Sequence, residues 1–79
     1  MGTEEARSIA GYFIRVALAK AREGRYGRSW VFVVKARAPL ASMQDAEATA
    51  LLREVEMTFH RRDHKRIRST LAGLAEFLA

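Results

Sequence analysis

The sequence predicts a small single-domain α+β fold spanning residues 1–79. Three observations carry that expectation. The run Trp30-Val31-Phe32-Val33-Val34 is β-branched and aromatic, and the only proline, Pro39, stands where such a strand would stop. Ala48, Leu52, Val55 and Phe59 recur at +4, +3, +4, and Ile67, Leu71, Leu74 and Leu78 repeat that helical spacing. At 79 residues, 49% apolar and 29% charged, the chain is globular in composition and too short for two cores.

The first element, residues 3–23, reads two ways. As one helix, Thr3 is the N-cap, Glu4 and Glu5 fill the first turn, Lys20 and Arg22 the last, and Gly24 lies beyond. Ala6, Ile9, Ala10, Phe13, Val16 and Ala17 then share one arc. The alternative is a short helix over 4–10 and a strand over 12–20, with Tyr12, Ile14, Val16 and Leu18 on one face. Gly11 favours that break, since it costs a continuous helix about 1 kcal/mol.

The central element is a strand over 29–38. Trp30, Phe32, Val34 and Ala36 share one face, and Val31, Val33, Lys35 and Arg37 the other. A strand's backbone groups need partners. If residues 12–20 are helical, the strand pairs with its copy in a second chain. If they are a strand, the resulting hairpin still needs a larger assembly. Size points the same way, because below ~80 residues a lone core seldom supplies more than ~3–5 kcal/mol without a staple. A homodimer or larger homo-oligomer is therefore expected, assembled through the strand edge, the C-terminal helices, or both.

The last element is a helical hairpin, residues 43–60 and 63–78. Ser42 or Asp45 caps the first helix. Asp63 caps the second, at the eight-residue step from Phe59 to Ile67 that breaks helical phase. A single bent helix is the alternative. The order strand, helix, helix in a small basic chain resembles the ribbon-helix-helix repressors over residues 29–79. That resemblance implies strands paired across a dimer and presented to the major groove of DNA. It is one of architecture alone: the alternate strand set here is Ser29, Val31, Val33, Lys35 and Arg37, with two valines where that family's groove-facing positions are polar.

Several function classes drop out. The chain has no cysteine, which removes disulfide scaffolds, thiol catalysis and cysteine zinc sites. No apolar run approaches the ~20 residues of a membrane span, and the acidic start Met1-Gly2-Thr3-Glu4-Glu5 is unlike a signal or transit peptide. A cytoplasmic protein without membrane contact is expected. There is no Gly-rich phosphate loop and no nucleophile elbow. The pairs Asp45/Glu47 and Glu54/Glu56 read as the wet face of a helix. A non-enzyme without a cofactor is expected. His60 and His64 stand at i,i+4, as two metal ligands on one helical face would. Arg61 follows His60 where a metalloprotease has Glu, and the neighbouring cations repel a divalent ion, so no metal site is expected.

The net charge of +5 sits in two blocks: residues 15–37 carry a net +6 and residues 60–68 a net +4. Eleven of the 14 basic residues are arginine, whose planar fork matches phosphate. In His60-Arg61-Arg62-Asp63-His64-Lys65-Arg66-Ile67-Arg68, like charges at helical spacing repel one another. An external anion at a helix N-terminus is the economical reason to cluster them. The alternative is a solvated turn paired with Glu47, Glu54 and Glu56. In the other block, Arg22, Arg25 and Arg28 alternate with Gly24, Tyr26 and Gly27 and are followed by Trp30. Glycines admit a ligand close to the backbone, and a tyrosine among arginines can stack a single-stranded base. The plainer reading is a loop with solvated arginines and Trp30 in the core.

The function expected is a small non-enzymatic nucleic-acid-binding regulator of bacterial or phage type. Arg61, Arg62, His64, Lys65, Arg66 and Arg68 would meet phosphates, with Arg25, Arg28, Lys35 and Arg37 as a second patch. The other class is a protein-binding module, an inhibitor or assembly subunit, whose basic blocks dock on an acidic protein partner. Histidine gains a proton in mild acid, so anion binding at His60 and His64 should be tighter there than at neutral pH. Equal affinity in the two buffers would remove that idea.

Overall fold

A computed structural model describes residues 2–79. They form four helices: α1 (Thr3–Arg22), α2 (Tyr26–Ser42), α3 (Ala46–His60) and α4 (His64–Leu78). No strand is present among the described residues. The α+β expectation is therefore corrected to an all-helical bundle.

The correction falls on residues 29–38, which lie inside α2. Ser29, Val33, Ala36 and Leu40 are all buried, and they recur at +4, +3, +4. A helical stripe was present, carried by small residues and masked by the large ones beside it. Trp30 and Phe32 are only partly buried, and Val31 and Val34 are 49% and 38% exposed. Strand preference in such a run is worth fractions of a kcal/mol per residue. Burying one large apolar side chain is worth about 1.5–3 kcal/mol, so the face that closes the core decides. Pro39 does not stop the segment. It sits in the last turn of α2, where it removes a single intrahelical hydrogen bond.

With the strand go the ribbon-helix-helix likeness and the pairing argument for a dimer. The chain closes its own core. Its surface of 4857 Å² is close to the roughly 4,800 Å² expected of a folded monomer of 8.9 kDa.

Of the two readings of the first element, the structure has the single helix, and residues 12–20 form no strand. Gly2, not Thr3, is its N-cap. The buried face is rich in alanine: Ala6, Ala10, Ile14, Ala17, Leu18 and Ala21. Ile9, Phe13 and Val16 lie at its flank, half-buried. So smooth a face lets neighbouring backbones approach closely. α1 accordingly makes its widest contact with α2 and a second one with α4. Ser29, fully buried, donates from Oγ to the Ala17 carbonyl at 2.7 Å, which pins α2 to α1 in register.

The stripes of α3 and α4 are buried: Ala48, Leu52 and Val55 on one, Ile67, Leu71, Leu74 and Leu78 on the other. Asp45 caps α3 by accepting from the Glu47 and Ala48 amides at 2.9 and 3.0 Å. Asp63 caps α4 by accepting from the Arg66 amide at 3.2 Å. Ser42 does not cap; its hydroxyl donates to the Ala38 carbonyl at 3.2 Å.

All three connections are three residues long, 23–25, 43–45 and 61–63. Each has a left-handed residue in the middle: Gly24 (φ 78°), Gln44 (φ 50°) and Arg62 (φ 54°). In the first, the Gly24 amide donates to the Ala21 carbonyl and the Arg25 amide to the Lys20 carbonyl, at 3.0 and 2.9 Å. The third repeats this, Arg62 to Phe59 and Asp63 to Thr58, at 3.0 and 3.1 Å. This pattern satisfies the last carbonyls of a helix while turning the chain. Connections so short make consecutive helices antiparallel neighbours. The helices form a ring in which α1 touches α2 and α4, and α3 touches α4 and, most narrowly, α2. The first and third turns thus share one end of the bundle.

Left-handed backbone costs a non-glycine residue about 1–2 kcal/mol. Gly24→Ala should therefore lose about 1 kcal/mol, and Gln44→Gly should gain up to about 1 kcal/mol, in urea unfolding. A gain for Gly24→Ala or a loss for Gln44→Gly would refute the shared geometry.

Candidate nucleic-acid interface

The end that holds the first and third turns gathers both basic blocks. Arg22 closes α1, Arg25 lies in the first turn region, and Arg28 stands in the opening turn of α2. Arg61 and Arg62 lie in the third connection, and His64, Lys65, Arg66 and Arg68 open α4. Side-chain contacts join the two blocks across the bundle. The Tyr26 and His64 rings stack with centroids 3.9 Å apart and planes 12° from parallel. Arg68 Nη1 donates to the Tyr26 hydroxyl at 2.6 Å. Trp30 packs against Phe59 at 5.1 Å and against the edge of His60 at 5.7 Å between ring centroids. Between these groups runs an open groove of about 480 Å³, with Gly27 and Arg62 also on its wall.

Little acidic charge answers this surface. Glu23 lies 3.4 Å from Arg25 and 4.0 Å from Lys20. Arg28, Arg61, Arg62, Lys65 and Arg66 are exposed, and none has a carboxylate within 4.0 Å among the described residues. The expected alternative, pairing with the acidic face of α3, is not formed. Glu56 accepts instead from Arg37 Nε at 2.6 Å. The N-termini of α2 and α4 both point to this end, and neither first turn holds an acidic residue. Arg25, the N-cap of α2, makes no side-chain cap bond, so amides at the positive end of that dipole stay open. Lys65 and Arg66 oppose the dipole of α4. Each such placement costs a few tenths of a kcal/mol, and an anion would reverse the sign.

Two expected site residues lie elsewhere. Lys35 sits over the Phe32 ring at 5.0 Å, far along α2 from Tyr26. Arg37 is paired with Glu56 and lies 5.3 Å over the Trp30 ring, where it ties α2 to α3. The second patch is therefore Arg25 and Arg28, with Arg22 beside them. His60 and His64 do not share a helical face, because one ends α3 and the other begins α4. Their rings belong instead to the aromatic contacts with Trp30 and Tyr26. Phe59 joins the groove unforeseen. Its place in the helical stripe of α3 assigned it wholly to the core.

Comparison of the chain with protein-family models, curated proteins and solved structures finds no match.

Asp63 has two roles that substitutions can separate. Asp63→Ala should cost about 1 kcal/mol through the lost cap, whereas Asp63→Asn keeps a capping oxygen and should stay within about 0.5 kcal/mol. Removing the one carboxylate of the third connection should tighten anion binding in Asp63→Asn, read by fluorescence anisotropy with a labelled oligonucleotide. Weaker binding by that variant would contradict the electrostatic description of this end.

Proposed function

We propose that the protein binds nucleic acid through the basic end of its helical bundle, as a small non-enzymatic regulatory protein. One observation carries the reading: two charge blocks separate in sequence converge on one surface, where most of their cations lack a carboxylate partner. Arg28, Arg61, Arg62, Lys65 and Arg66 meet phosphates, the open N-terminus of α2 supplies further donors, and arginine's planar fork engages phosphate oxygens bidentately. Such contacts release condensed counterions, so affinity falls steeply with salt. Binding of duplex DNA and of single-stranded RNA across a salt series tests this directly. The triple variant Arg61→Gln, Arg62→Gln, Arg66→Gln should bind more weakly on every sequence, with a log–log salt slope shallower by roughly 2–3. Lys35→Gln should leave the slope unchanged. No binding by the wild type at low salt would end the proposal.

A second reading, docking on an acidic protein, is favoured by a different observation. The outward stripe of α2 carries exposed Val31 and Val34, with Arg28 and Lys35 nearby and no acidic residue anywhere in the helix. An acidic amphipathic partner would cover that stripe. Val31→Glu should abolish such a complex while leaving nucleic-acid affinity nearly unchanged.

A further inference from the structure

We infer that the aromatic groove at the basic end receives an unstacked base, so that the protein prefers single strands to duplexes. This rests on the nucleic-acid reading above and specifies its ligand. The groove's volume of about 480 Å³ lies within the ~300–1,000 Å³ range of sites for small molecules, enough for a nucleotide. On one side stands the Tyr26–His64 stack, held in place by the Arg68 hydrogen bond to the tyrosine hydroxyl. On the other stands Trp30, backed by Phe59 and by the Arg37 guanidinium. Tyr26, His64, Trp30 and Phe59 all line the groove, and aromatic rings of this kind stack a base regardless of sequence. Between them lies Gly27, where an added Cβ would meet no atom within 4 Å. That missing side chain opens the wall.

Charge complementarity selects the occupant. No carboxylate lines the groove, and Arg62 stands on its wall. Arg28, Arg61 and Lys65, exposed at the same end, are placed to take the phosphates on either side of an inserted base. Duplex bases are paired and stacked inside the helix, so they reach an aromatic slot only after being turned out. Single strands present them at little cost.

The test compares a short oligothymidylate, a short oligouridylate and a mixed-sequence duplex against wild type and Gly27→Leu. Leucine favours the helix and its Cβ has open space at this wall position, so it adds bulk at the groove without disturbing the bundle; circular dichroism checks this. Trp30, the single tryptophan, reports on the groove by its own fluorescence. Wild type should bind at least one of the single strands about tenfold more tightly than the duplex, with Trp30 fluorescence quenched by that strand alone. Gly27→Leu should lose about that factor on the strand, so that strand and duplex affinities become nearly equal. Tyr26→Phe, which keeps the ring and loses only the Arg68 hydrogen bond, should retain the larger part of the strand preference. Equal affinity for strand and duplex, unaffected by Gly27→Leu, would overturn the base-binding groove and leave phosphate contact standing. Failure of all three probes to bind would overturn both.

Discussion

Loop length governs this molecule. Each connection is three residues long, with one residue in the left-handed region, and can do nothing but reverse the chain. Three successive reversals force the first and third turns to the same end. The arginines around residue 25 and those around residue 62 are thereby made neighbours. No long-range attraction is needed to bring them together, and their mutual repulsion must be overcome by the core behind them. That core is well suited to the task. α1 offers an alanine face on which α2 and α4 can lie close, and Ser29 fixes the α1–α2 register through the Ala17 carbonyl.

The narrowest contact in the ring, between α2 and α3, includes Trp30 and Phe59 from the lining of the groove. Trp30 against Phe59 and Arg37 against Glu56 hold it. Trp30 therefore serves the fold through one neighbour and the groove through its remaining surface. A ring packed against Phe59 and Arg37 has less freedom left to lose, which would lower the entropic cost of stacking the proposed base on it. Tyr26 is fixed in a comparable way from the opposite corner, by His64 and Arg68. The aromatic walls and the cations thus come from the same few turns of chain.

The C-terminal hairpin was legible in the sequence because large residues carry its period. Leu52, Val55 and Phe59, then Ile67, Leu71, Leu74 and Leu78, leave no competing pattern, and Asp63 marks the break between them. α2 was illegible for the opposite reason. Its core stripe runs through Ser29, Val33, Ala36 and Leu40, half of it small, while its large residues form an unbroken apolar run that imitates a strand. α1 was legible as a helix but not in its facing, since alanines carry too little hydrophobic weight to outvote Ile9, Phe13 and Val16. The same error displaced part of the site. Lys35 and Arg37, assigned to a patch on a strand face, point elsewhere once the segment winds into a helix. The two charge blocks could be read from sequence, but their meeting could not, because it follows from the antiparallel pair α2 and α3 that separates them, and α2 did not read as a helix.

The central claim is that the two blocks form one binding surface. Amide chemical shifts, followed by NMR while a short single-stranded oligonucleotide is titrated into the protein, address it most directly. Perturbations should cluster in residues 22–30 and 59–68 together, titrating with one common midpoint, while the turn at 43–45 at the far end stays silent. Shifts confined to one block, separate midpoints for the two, or a response centred on the far turn would contradict a single surface built by the chain's reversals.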